Sequence, residues 1–195
     1  MSKLDKSFIY KGFKTLLAER LGEEVAQRIW ADASLRLTEL EKICADLDSD
    51  SRMMILPAAA IYLTAPEMLP LLKQYAADMG KRIGRVIHGV TSVPGVSRLL
   101  WRQMPRLMRT MSSPEKGYER RIVSESRELV GVDILACPLH RAAVRLGVPE
   151  VAAVVCAMDK AYMTGFKYIQ YTRTTAIGEG DACCDYRLRF DPDKQ

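Results

Sequence analysis

Hydrophobic positions in the first 110 residues recur at helical spacing. Residues 6–20 carry Phe8, Ile9, Phe13, Leu16 and Leu17 at that period. Residues 23–47 carry Val25, Ile29, Leu35, Leu37, Leu40 and Ile43 between Glu, Arg and Lys. A third helix is predicted over about 52–64. A fourth is predicted from Pro66 to Gly80, because Pro near the start and Gly past the end suit a helix. Residues 81–110 read as broken helix, interrupted by Ser92-Val93-Pro94-Gly95, and 112–117 as a loop.

The period then changes. Residues 119–136, rich in Val, Ile and alternating charge, predict one or two strands. Short helices are predicted at 138–146 and 149–164, each opening on a proline and stopping at a glycine. Residues 168–177 and 183–190 predict two strands joined by a Gly-rich turn. The pattern is α+β. An N-terminal helical region of four to five helices (1–110) precedes a small antiparallel β-sheet with two short helices inserted (118–190).

A length of 195 residues suits a single domain, 1–195, with a sizeable core. The 48% hydrophobic and 27% charged content is that of an ordinary globular chain. The start, MSKLDKSFIYKGFK, has no signal-like apolar run, and no segment approaches a membrane span. Five cysteines without an export signal predict free thiols in the cytoplasm. The net charge of +5 is mild but gathered, with ten Lys/Arg against two Glu between Lys81 and Arg121. That segment lacks a recognisable nucleic-acid-binding motif. It reads as a solvated helical face over core residues, with an anionic-surface contact as the other reading.

The chemistry-bearing residues fall late. Cys137 should cap the 138–146 helix, where the partial positive charge favours thiolate, and His140 lies one turn on. Such a pair could form a nucleophile, or be an inert cysteine beside a surface histidine. Cys156 and Asp159 are neighbours on the 149–164 helix, at the shoulder of an apolar stripe of Val151, Val154, Val155, Met158 and Tyr162. A carboxylate there suits proton transfer, and equally suits a boundary salt bridge. Alternation in the last strand sends Cys184, Tyr186, Leu188 and Phe190 inward, and Cys183, Asp185, Arg187 and Arg189 outward. A metal held by Cys137, Cys156 and Cys184 is one arrangement of these thiols, although their spacing matches no ligand pattern. Arg173, among apolar neighbours, could anchor a substrate carboxylate or bridge across the sheet.

Taken in order, these residues resemble a known family. Cys137-Pro138, Gly147-Val148-Pro149-Glu150, Cys156 with Asp159-Lys160, Gly165, Thr174-Thr175, Gly178 to Gly180 and Cys184-Asp185-Tyr186 are similar to the L-2-amino-thiazoline-4-carboxylic acid hydrolase family. The resemblance covers roughly residues 130–190. It implies hydrolytic opening of an aminothiazoline ring toward carbamoyl-cysteine, a step in bacterial cysteine formation. Cys137, Cys156, Asp159, Cys184 and Asp185 fall on the family's pattern. The ring carbon needs a nucleophile, a proton donor for the departing atom, and a cation for the neighbouring carboxylate. Cys137, Asp159 and Arg173 could fill those roles. The expectation is therefore a hydrolase of a small cyclic amidine, alone or as a homo-oligomer. The alternative is a non-enzymatic sensor whose C-terminal cysteines bind a metal or small molecule.

Overall fold

A computed structural model describes residues 2–192. Five helices come first: α1 (Phe13–Leu21), α2 (Glu23–Ile43), α3 (Ser49–Thr64), α4 (Leu69–Thr91) and α5 (Val96–Met111). Strands β1 (Glu119–Glu125) and β2 (Leu129–Ala136) follow, then α6 (Pro138–Arg145) and α7 (Ala152–Met163), then β3 (Ile169–Thr172) and β4 (Cys184–Phe190). The fold is α+β. The four strands form one antiparallel sheet in the order β1-β2-β4-β3, so β4 runs between β2 and β3.

Two cores share α7. One packs the N-terminal helices with α6 and α7, around Tyr10, Phe13, Leu17, Ile55, Leu56 and Leu72. The other lies on the inner face of the sheet, where Val132, Ile134, Cys184 and Leu188 meet Met104 and Met108 of α5 and Met163 of α7. The basic segment follows this plan. Arg98, Arg102, Arg106 and Arg109 are exposed on α5, while Met104 and Met108 are buried beneath them. No helix among the described residues is long and apolar enough to cross a membrane.

The second helix ends at Ile43, the third starts at Ser49 and α7 starts at Ala152 after a 3-10 turn at Pro149–Val151; three further differences from the sequence pattern have a clear local reason. The first helix starts at Phe13 rather than near residue 6. Residues 4–6 form a separate 3-10 turn, pinned where the Trp30 indole donates to Asp5 at 2.8 Å. The fourth helix does not stop at Gly80 but continues to Thr91. Gly80 is there for packing: a Cβ on it would lie 2.3 Å from the Met158 carbonyl oxygen of α7. One turn on, Gly84 meets Gly165, where an added Cβ would lie 2.3 Å from the Gly84 oxygen. The strand expected to reach residue 177 ends at Thr172. Beyond it, backbone N–H groups turn to side-chain carboxylates: Thr174 and Thr175 donate to Asp185, and Ala176 donates to Asp181.

The glycine crossing of α4 and α7 invites a paired test. Gly80→Ala gains about 1 kcal/mol in helix propensity but pushes against backbone that cannot yield. Overpacking of this kind costs about 1–3 kcal/mol, so a lower Tm is expected. Gly89→Ala, in the same helix with nothing within 4 Å of its added Cβ, should raise Tm. Thermal melts of the two proteins check the contrast.

Candidate active site

The helix α7 is central because it touches both cores and carries Cys156 and Asp159 one turn apart. Its Asp159 carboxylate is gripped from two sides at Oδ2. Tyr186 Oη, from β4, donates to it at 2.5 Å, and Arg173 Nη1, from the segment after β3, donates at 3.0 Å. Arg173 Nη2 donates to the Cys156 carbonyl at 3.0 Å, and the guanidinium lies 5.7 Å from the centre of the Tyr186 ring. The Arg173 side chain is 2% exposed and that of Asp159 is 19%. Burial by itself would lower the Arg173 pKa, but Tyr186, Tyr171 and Asp159 outweigh it and raise it. Burial and the adjacent Asp159 push the Tyr186 hydroxyl well above its usual value, so it remains a donor.

Around this cluster lies a cavity of about 360 Å³. Cys137, His140, Cys156, Asp159, Arg173 and Cys184 all line it, with apolar walls from α5, α7 and the sheet. Cys184 is buried, as its strand parity requires. Its sulfur accepts from the Ile177 N–H at 3.3 Å. The turn carrying Ile177 and Gly178 is pressed on α7, since a Cβ on Gly178 would lie 2.8 Å from the Cys156 sulfur.

The thiolate expected at Cys137 is not favoured. Cys137 does cap α6, and the N–H groups of His140 and Leu139 do pull its pKa down. Burial outweighs them and pushes the thiol up from its ordinary value. Burial likewise pushes Cys156 up to about 12 and Cys184 up to about 11. All three are neutral thiols near pH 7, and all five cysteines are free. The His140 ring lines the cavity but makes no hydrogen bond to Cys137 among the described residues. Nor do Cys137, Cys156 and Cys184 gather as metal ligands: among the described residues no three His, Cys, Asp or Glu side chains are grouped to hold an ion.

Asp185 takes the outward place that strand alternation predicts, so its part in the family pattern does not bring it into the cavity. It is adjacent to Cys184 on β4 and points to the other face of the sheet. There it accepts four hydrogen bonds, from the N–H and hydroxyl of both Thr174 and Thr175, at 2.6 to 2.9 Å. Burial alone would raise its pKa, but these donors hold it well below the usual carboxylate range. Asp185 thus fixes the loop that presents Arg173. Arg173 in turn has its two terminal nitrogens engaged within the protein, which leaves little of it for a substrate carboxylate. The cavity-lining cation without an ion pair among the described residues is Lys116, exposed on the turn after α5.

Sequence reasoning did not single out Tyr186, Tyr162 or Lys116. Tyr186 shares strand parity with Cys184, and Tyr162 lies three residues after Asp159 on α7, where helical spacing places it beside that carboxylate. No pattern marks Lys116.

The family model described as L-2-amino-thiazoline-4-carboxylic acid hydrolase matches residues 57–188, which include every residue of this cluster. The chain belongs to the L-2-amino-thiazoline-4-carboxylic acid hydrolase family. Within that family match lie the whole sheet through Leu188, both inserted helices, and α4 and α5. No curated protein matches the chain. Among solved structures, an H-NOX protein from S. oneidensis in the Fe(II)NO ligation state aligns with TM-score 0.37 and 9% identity, covering 94% of this chain and 97% of that one. A second, described as probing the function of heme distortion in the H-NOX family, aligns with TM-score 0.33 and 10% identity over 95% and 94% of the two chains. At such scores neither likeness bears on this L-2-amino-thiazoline-4-carboxylic acid hydrolase family member.

Proposed function

We propose that the protein is a hydrolase opening a carbon–nitrogen bond of a small cyclic amidine such as L-2-amino-thiazoline-4-carboxylate. The observation that carries this reading is the Asp159 carboxylate, fixed through one oxygen by Arg173 and Tyr186 at the wall of an apolar cavity. Oδ1 is left out of both bonds. A carboxylate held this way can pair with an amidinium group and accept a proton in the same place.

The chemistry then runs through water. Asp159 takes a proton from water as its oxygen bonds to the amidine carbon. It returns that proton to the ring nitrogen as the carbon–nitrogen bond breaks. The remaining hydroxyl proton passes through Asp159 to the departing nitrogen as the carbonyl forms, so that an amidinium substrate leaves a carbamoyl group and an ammonium. Arg173 and Tyr186 are positioning residues that hold Asp159 oriented. The neutral thiols of Cys137, Cys156 and Cys184 keep the wall of low polarity rather than attack. Lys116, at the rim, takes the substrate carboxylate in the place earlier expected of Arg173. Five free thiols suit a reducing cytoplasm, where we place the activity.

The experiment is release of carbamoyl-cysteine from L-2-amino-thiazoline-4-carboxylate by the purified protein, followed by mass spectrometry. A single rim ion pair is worth up to about 1 kcal/mol, so Lys116→Met should raise KM about fivefold with kcat unchanged. An unchanged KM would remove Lys116 from substrate recognition. No release from the unsubstituted protein would contradict the assignment of this substrate.

A further inference from the structure

The cavity is larger and more apolar than an aminothiazoline carboxylate needs. Its volume is about 360 Å³. A dry protein cavity of roughly 150 Å³ already holds benzene. A single five-membered ring with an amino and a carboxylate substituent would leave more than half of this space vacant. Methionine is the commonest side chain around it. Six of the chain's ten methionines line it: Met54, Met104, Met108, Met111, Met158 and Met163. Methionine is flexible and polarizable, and it moulds to apolar ligands of varied outline. Leu107, Phe166 and Ile177 extend the same wall.

Polar side chains of the lining, Asp50, Ser112, Tyr118, His140 and Tyr162 among them, are outnumbered by apolar ones. Asp159, Arg173 and Tyr186 form one hydrogen-bonded cluster, and Lys116 is on the exposed turn after α5. A ligand that fits must present one polar head to Asp159 and lay an apolar body along the methionines. A fully polar molecule would gain nothing from that wall and would lose its own hydration there.

We infer that the site prefers an amphipathic substrate, a cyclic amidine head bearing an alkyl or aryl body, over the bare amino-acid ring. The head rests on the hydrolase reading above; the apolar body rests on the cavity alone. Filling the wall adds binding without changing the reacting carbon.

The test is calorimetric titration of the full chain with 2-amino-2-thiazoline and with its butyl- and hexyl-substituted ring analogues, alongside turnover of each. Each buried methylene should tighten Kd about fourfold until the cavity is full. Leu107→Trp, which fills the cavity from its partly exposed side, should abolish that gain while the parent ring still binds. Alkyl analogues that bind no tighter than the parent would overturn the inference, as would a gain that survives Leu107→Trp. Tight binding of the hexyl analogue without turnover would support the apolar body and count against the hydrolase. Turnover of the carboxylate ring with exclusion of the alkyl analogues would do the reverse.

Discussion

Asp159→Asn should abolish most turnover and destabilise the protein together. Loss of the proton acceptor lowers the rate by roughly 10²–10⁴-fold. The same change leaves the Arg173 guanidinium, 2% exposed, without its counter-charge. Removing one partner of a buried pair costs about 3 kcal/mol, or roughly 6–12 °C in Tm for a chain of this size. The two effects are separable. Adding Arg173→Met to Asp159→Asn removes the stranded charge, and apolar replacement of a buried pair is close to neutral. The double variant should regain most of its Tm and none of its rate. If activity returned with stability, Asp159 would be only a structural partner of Arg173.

Cys156 and Cys184 should be almost inert in the folded protein. An unperturbed thiol titrates near pH ~8.5, whereas Cys184 is pushed up to about 11 and Cys156 to about 12. At neutral pH their thiolate fractions fall roughly 300- to 3,000-fold below those of the unfolded chain. Iodoacetamide labelling of native and denatured protein, read by mass spectrometry, should show that ratio for both. The native rate should still be climbing above pH 10. Rapid labelling of Cys137, Cys156 or Cys184 at neutral pH would restore a thiolate mechanism. The same shifts set the alkaline limit of stability. A thiol whose pKa is raised on folding stabilises the native state fully below the unfolded value, and that stability is lost as pH rises through the folded values. Tm should therefore hold up to about pH 8 and decline from there toward pH 11 to 12.

Much of this fold is legible because periodicity and punctuation agree. The change from helical to alternating spacing after residue 118 marks the sheet, Pro138 opens α6, and Pro149 opens the 3-10 turn that leads into α7. Gly80 misleads because one residue type serves two purposes. A helix stop and a close helix crossing both call for glycine, and only the partner helix decides between them. The site divides along the same line. Cys156 and Asp159 are visible from helical spacing, and Cys184 from strand parity. The engagement of Arg173 depends on a carboxylate fourteen positions earlier in the chain, brought close by the sheet. The protonation of Cys137 depends on burial, which overrides the helix-end effect that the local sequence displays. For Asp185 strand parity reads correctly, where the family pattern alone would group it with its neighbours in the site. Its neighbours in Cys184-Asp185-Tyr186 face the cavity, while it fastens the Thr174-Thr175 loop on the other face.

The central claim is that water, activated by Asp159, attacks the amidine carbon while the thiols stay neutral and uncombined. Intact-protein mass spectrometry during turnover of an aminothiazoline substrate tests it most directly. The expected result is an unmodified protein mass at every time point while carbamoyl product accumulates. An adduct on Cys137, Cys156 or Cys184 that forms and decays at the turnover rate would contradict it.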